Sequence, residues 1–315
     1  MKNFILLVAL FLVAPFAQGS SPQHLLVGGS GWNKIAIINK DTKEIVWEYP
    51  LEKGWECNSV AATKAGEILF SYSKGAKMIT RDGRELWNIA APAGCEMQTA
   101  RILPDGNALV AWCGHPSTIL EVNMKGEVLS KTEFETGIER PHAQFRQINK
   151  NKKGNYLVPL FATSEVREIA PNGQLLNSVK LSGTPFSSAF LDNGDCLVAC
   201  GDAHCFVQLN LESNWIVRRV NANDIEGVQL FFVAQLFPLQ NGGLYICNWQ
   251  GHDREAGKGK HPQLVEIDSE GKVVWQLNDK VKFGMISTIG PSREESGTVY
   301  FVHLPGDINP ILLTQ

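Results

Sequence analysis

The stretch Arg-Pro-His-Ala-Gln-Phe-Arg-Gln, residues 140–147, sets His142 between two arginines in a chain with only seven histidines. Imidazole works as a nucleophile or general base near neutral pH, and His142 is the single catalytic candidate the sequence offers. A hydrogen-bonded histidine at the rim of a channel is the other role open to it. Cys196, Cys200, His204 and Cys205 have the residue types of a metal set. Yet four residues of strand put Cys196 and Cys200 about 13 Å apart, too far to share an ion. Cys200 and Cys205 flank a Gly-Asp-Ala-His turn and can face each other across a hairpin, as core thiols or as one bridge. Cys57 and Cys95 hold equivalent positions in consecutive repeats, where a bridge or two buried thiols are both conceivable.

The elements that carry these residues repeat. TKAGEILFSY (63–72), LPDGNALVAW (103–112), NKKGNYLVPL (151–160), LDNGDCLVAC (191–200), LQNGGLYICN (239–248) and EESGTVYFVH (294–303) each join a glycine turn to an apolar run. The glycines fall at 66, 106, 154, 194, 242 and 297. Each run is followed by an alternating strand, a tight polar turn and another strand, as in AIINKDTKEIVWEY (36–49). Before each glycine lies a further short apolar strand, such as SVAAT, TARIL or FRQIN. Four antiparallel strands in about 45 residues, repeated, are the signature of an all-β β-propeller. Five units are complete. The N-terminus supplies strands two to four of a unit and the C-terminus strands one to three. The two partial units overlap in type, so seven blades are expected, with six as the alternative.

The units Asp41-Thr-Lys-Glu-Ile-Val-Trp47, Asp82-Gly-Arg-Glu-Leu-Trp87 and Asp268-Ser-Glu-Gly-Lys-Val-Val-Trp275 resemble the repeat of the PQQ-like, quinoprotein-type propellers. That resemblance implies the fold and a tryptophan docked between neighbouring blades. Ser130, Asn177 and Arg218 stand where three of the tryptophans would fall. The adjacent cysteine pair and acid cluster of the quinone-dependent dehydrogenases are missing, so no cofactor is expected. The segment PHAQFRQINKNKKGNYLV, with VREIAPNGQLLNSVKL after it, is similar to the repeats of bacterial arylsulfotransferases. There a histidine in the place of His142 accepts the sulfuryl group, and Arg140 or Arg146 would hold the sulfate.

Function in such a fold concentrates in long loops on a rigid scaffold. The turns after strands one and three are short and conventional, whereas the opposite face carries the irregular loops and every histidine except His24. The mouth of the central channel on that face is the expected ligand site, built from Trp32, Trp55, Asn58, Glu96, Gln98, Arg140, Gln144, Gln229 and His252, with His142 as the catalytic candidate. Trp32, Trp55 and Trp249 could stack on a sugar or serve blade packing. The loop 248–262 is a lid or a solvated excursion.

Lys plus Arg number 29 against 32 Asp plus Glu, a balance without the basic patch that nucleic acid needs. Residues 1–19 read as a cleavable secretory signal: Lys2, an apolar run to about Phe16, then small residues. The run is shorter than the roughly 20 residues of a spanning helix, so the rest, 20–315, is expected as one exported propeller domain, periplasmic or extracellular. The expectation is a non-catalytic binding or interaction module for a small polar ligand, a carbohydrate or a protein partner. The alternative is a group-transfer enzyme with His142 as nucleophile, or a lyase, on the same face.

Overall fold

The computed structural model describes residues 22–254, 261–292 and 311–312. The signal reading for residues 1–19, the strand expected near 298–303 with His303, and the charged stretch 255–260 of the long loop lie outside the described residues. Among the described residues the chain forms six antiparallel sheets around one axis.

Blade one joins an early and a late segment of the chain: Met285–Pro291 is its inner strand, followed outward by His24–Ser30, Lys34–Asn39 and Glu44–Pro50. Blade two runs Val60–Ala62, Ile68–Tyr72, Gly75–Ile79 and Glu85–Ala90. Blade three runs Glu96–Ile102, Ala108–Cys113, Ser117–Val122 and Val128–Phe134. Blade four has Asn149–Lys150, Tyr156–Leu160, Glu165–Ile169 and Leu175–Lys180. Blade five has Ser187–Phe190, Cys196–Ala199, Phe206–Asn210 and Trp215–Val220. Blade six has Phe232–Pro238, Leu244–Trp249, Leu264–Ile267 and Val273–Leu277.

The expectation of seven blades is therefore corrected to six. Of the described part of the C-terminal partial unit, Met285–Pro291 enters the ring, where it pairs with His24–Ser30. Ile311–Leu312 instead adds a fifth strand outside blade five, against Trp215 and Ile216.

Burial follows position in the blade. The second strand of blade two, Ile68–Tyr72, is buried at every residue, because neighbouring blades cover both faces. The outer strand Glu44–Pro50 alternates between exposed and half-buried, as a strand with one wet face must. At the turn before the second strand of blade five, Gly194 has φ 90° with open space around it. The backbone conformation, not crowding, demands glycine there.

Tryptophans join blade to blade. Trp47 Nε1 donates to Arg81 O of blade two at 2.7 Å, and Trp275 Nε1 donates to Lys40 O of blade one at 2.9 Å. Trp87 packs on Gly126 of blade three. The same register position holds Ser130, Asn177 and Arg218 in the other blades, each opposite the residue before an outer-strand bulge. Asn177 Nδ2 replaces the indole by donating to Leu211 O at 2.9 Å, and in blade three Thr132 Oγ1 donates to Pro171 O at 2.6 Å.

All seven cysteines are free thiols, six buried and Cys95 half-buried. Cys57 packs on Gly28 of blade one and Cys95 on Gly114 of blade three, so the two face different neighbours. Cys200 and Cys205 do meet across their hairpin, as hydrogen-bonded thiols. Burial pushes the Cys57 and Cys113 thiols up to about 12 and raises Cys196 and Cys247 as well.

Two outcomes follow. Trp87 is only 7% exposed, so Trp87→Ala should cost about 3–5 kcal/mol in denaturant unfolding; a loss below about 1 kcal/mol would deny it a docking role. Since only a thiolate attacks a disulfide reagent, the native reduced protein at pH 8 should be labelled at Cys95 alone within minutes, and at all seven once unfolded. Mass mapping of the labelled peptides reads the difference.

Candidate functional site

Segment 140–148 enters blade four without forming a full inner strand. Pro141–Ala143 is a single 3-10 turn, with the Gln144 N–H donating to Pro141 O. Proline suits the first position of such a turn because its missing N–H is not needed there. Beyond it isolated bridges, Phe145 to Leu160 and Gln147 to Ser187, and backbone bonds from the Phe161 and Ala162 N–H groups tie the backbone down before Asn149. Side chains do the rest. Gln144 is fully buried and makes four hydrogen bonds: it donates to Gly114 O and Ile138 O and accepts from the Gly114 N–H and the Ser117 hydroxyl. With its capacity filled, Gln144 fastens the turn and has nothing left for a ligand.

The turn presents His142 to Glu96, at the start of the inner strand of blade three, and to Arg146. His142 Nδ1 lies 2.8 Å from Glu96 Oε2, and Nε2 lies 3.2 Å from Arg146 Nη2. A guanidinium can only donate, so Nε2 accepts and Nδ1 carries the proton given to Glu96. Arg146 also donates from Nη1 to His142 O and Phe145 O, and its plane lies over Phe161 and Phe186 at 5.3 and 5.7 Å. Arg146 is buried. Burial lowers its pKa, and the charges of Glu56 and Glu96 work against that. His142 and Glu96 remain half open to solvent, at 49% and 32% of their side-chain surfaces.

From Glu96 a hydrogen-bonded line runs down the channel. Gln98 Nε2 donates to Glu96 Oε2 at 3.1 Å, Asn58 Nδ2 donates to Gln98 Oε1 at 2.9 Å, and the Ser287 hydroxyl donates to Asn58 Oδ1 at 3.4 Å. Gln147 Nε2 donates to Asn58 O at 2.6 Å, while its Oε1 accepts from Arg101 Nη2 at 2.7 Å. Four of the residues expected from sequence, His142, Glu96, Gln98 and Asn58, are thus brought into contact. Asn58 and Gln98 are buried, so they support Glu96 rather than meet a ligand themselves.

The other expected residues lie elsewhere. Arg140 is exposed at the head of the turn. Trp55 is half-buried and stacked on Tyr72, ring centroids 4.2 Å apart. Trp32 packs on Gly284. Gln229 joins a second group between blades five and six: His261 Nε2 lies 2.9 Å from Gln229 Oε1, and its Nδ1 lies 2.6 Å from Asp253 Oδ2. Phe231 stacks on His261 and contacts His204. His252 is exposed and edge-on to Trp249. The histidine-rich face therefore holds two separate groups, and one set of nine ligand-binding residues does not form. Arg146, expected beside His142 as a sulfate holder, lies against its Nε2 instead, while Gln147 and Arg101 were missed as partners. Alternation along inner strands would have pointed some of them at the axis, but segment 140–148 breaks that alternation.

Solved structures similar to this chain are propellers. A streptogramin B lyase matches with TM-score 0.56 at 10% identity, over 78% of this chain and 76% of that one. A catalytically inactive virginiamycin B lyase from Staphylococcus aureus, determined with quinupristin, matches with TM-score 0.55 at 12% identity, over 84% and 88%. The WD40 propeller domain of Doa1 matches with TM-score 0.54 at 15% identity, over 71% of each chain. At such identities the likeness is one of fold alone. No curated protein matches in sequence. The PQQ-like resemblance captured the propeller and its docked tryptophans but not the family. The model of a different family, Mal s 1 allergenic protein-like, matches residues 30–272, and the chain belongs to that family.

Proposed function

We propose that the protein is an exported binding module whose rim at Glu96 and His142 holds a small polar ligand rich in hydroxyl groups, such as a carbohydrate. The observation that carries this reading is the occupancy of His142. Both ring nitrogens already have protein partners, one in Glu96 and one in the buried Arg146. An imidazole whose Nε2 lone pair points at a guanidinium is poorly placed to attack a sulfuryl group, because that lone pair would first have to leave Arg146. Glu96 supports the binding role. Its Oε2 takes both His142 and Gln98, while Oε1 accepts nothing among the described residues and is free for a ligand hydroxyl.

A second reading, acid–base chemistry of the lyase type, is favoured by one feature: a carboxylate 2.8 Å from an imidazole nitrogen at a channel mouth. It would need His142 to turn Nε2 away from Arg146 when substrate binds.

Screening on a glycan array, followed by titration calorimetry of the hits, tests the first reading. Glu96→Gln and His142→Ala should each weaken binding about tenfold, or ~1.4 kcal/mol, with the melting temperature little changed. Undiminished affinity in both variants rejects the rim as the site. Unchanged binding with turnover abolished in His142→Ala would establish the second reading instead.

A further inference from the structure

The opposite end of the channel holds a cavity of about 220 Å³ that the His142 reading does not use. It opens where the inner strands of blades one, two, three and six end, on the face of short turns. Val60, Phe237, Leu239, Ile289 and Pro291 give it an apolar wall, and Arg101 is the one cation lining it among the described residues. A water takes about 30 Å³ in the liquid, so the space holds roughly seven water-sized groups.

Arg101 comes from the inner strand of blade three and reaches across the axis. Nη2 donates to Gln147 Oε1 at 2.7 Å and to Ser188 O at 3.4 Å. Nε is enclosed and has no hydrogen-bond partner, and Nη1 donates to nothing among the described residues. Among the described residues no carboxylate pairs with this guanidinium, and burial pulls its pKa down to about 10. Arginines removed from water are ordinarily paired with an acid, because a lone enclosed charge is expensive. The described residues supply no such acid to Arg101, which is partly buried, and an apolar-walled cavity adjoins it.

We propose that the cavity binds a small monocarboxylic acid with an apolar body. Its carboxylate pairs with the free edge of Arg101 and its hydrocarbon part lies against Val60, Phe237, Leu239 and Ile289. One guanidinium neutralises one negative charge. With no lysine and no second arginine among the described residues of the wall, a phosphate dianion would be left half compensated, and a neutral ligand would leave Arg101 as it stands. This inference is independent of the reading of His142.

Calorimetry with phenylacetate and hexanoate, against phenylacetamide and inorganic phosphate, tests it. Both acids should bind saturably and the amide at least tenfold more weakly, since it keeps the ring but lacks the charge. Arg101→Met should abolish binding; losing an unpaired charge to an apolar side chain of similar length is compatible with folding. Gly290→Leu is the second variant. A Cβ at Gly290 meets nothing closer than Val60 O at 3.7 Å, so its side chain fills the cavity without straining the strand, and it too should abolish binding. His142→Ala should bind the acids as the parent does. The proposal is overturned if neither acid binds, if phenylacetamide binds as tightly as phenylacetate, if phosphate binds and the acids do not, or if the acids still bind to folded Arg101→Met or Gly290→Leu.

Discussion

The pairing of Met285–Pro291 with His24–Ser30 closes the ring, and the geometry of everything inside depends on it. The seam carries a register shift at Gly28 and Gly29, where a Cβ on Gly29 would collide with the Met285 carbonyl. Only a bare backbone lets the two segments approach so closely. Closure with six blades sets a narrow axis. Thr288 of blade one accepts from the Val60 N–H of blade two at 3.2 Å. Gln147 reaches Asn58 on one side and Gln235 of blade six on the other. Side chains span the channel, and most of their polar groups satisfy one another, Arg101 Nε and the Ser187 and Ser188 hydroxyls being exceptions.

Much of this architecture was legible in the sequence. The six inner strands coincide with SVAAT, TARIL, FRQIN, SSAFL, VAQLF and ISTIG, except that FRQIN is mostly irregular and only Asn149 continues as strand. The repeat was readable because each blade solves one local problem, a strand pattern and a glycine turn, in its own residues. Blade count was not, since it depends on which distant segment completes blade one. Nothing local in ISTIG says that it pairs with LLVGG, nor that Ile311–Leu312 goes to blade five instead.

The candidate site was legible to a similar degree. The face was identified from loop length, and His142, Glu96, Gln98 and Asn58 come from three successive strand entries that propeller symmetry brings together. The His142–Glu96 and Asn58–Gln98 hydrogen bonds run between blades over 40 or more residues of sequence, which residue spacing cannot foretell. Gln144 and Arg146 were harder. Their roles follow from a 3-10 turn that interrupts the strand, turning Gln144 into the core and folding Arg146 back onto His142. Arg101 lay inside a well-predicted strand and showed nothing unusual, because a missing counter-charge becomes visible only once its neighbours are in place.

The outer rim of a propeller leaves unpaired N–H and C=O groups on its last strands. Most of these strands carry charge, as in Lys131 and Glu133 of blade three or Glu44 and Glu48 of blade one, which discourages a second chain from adding on. Blade five begins its last strand with Trp215, Ile216 and Val217, an apolar run with strong β preference. Ile311–Leu312 occupies the hydrogen-bonding edge at Trp215 and Ile216. That pairing covers the edge positions to which another strand would add, which disfavours edge-to-edge assembly there.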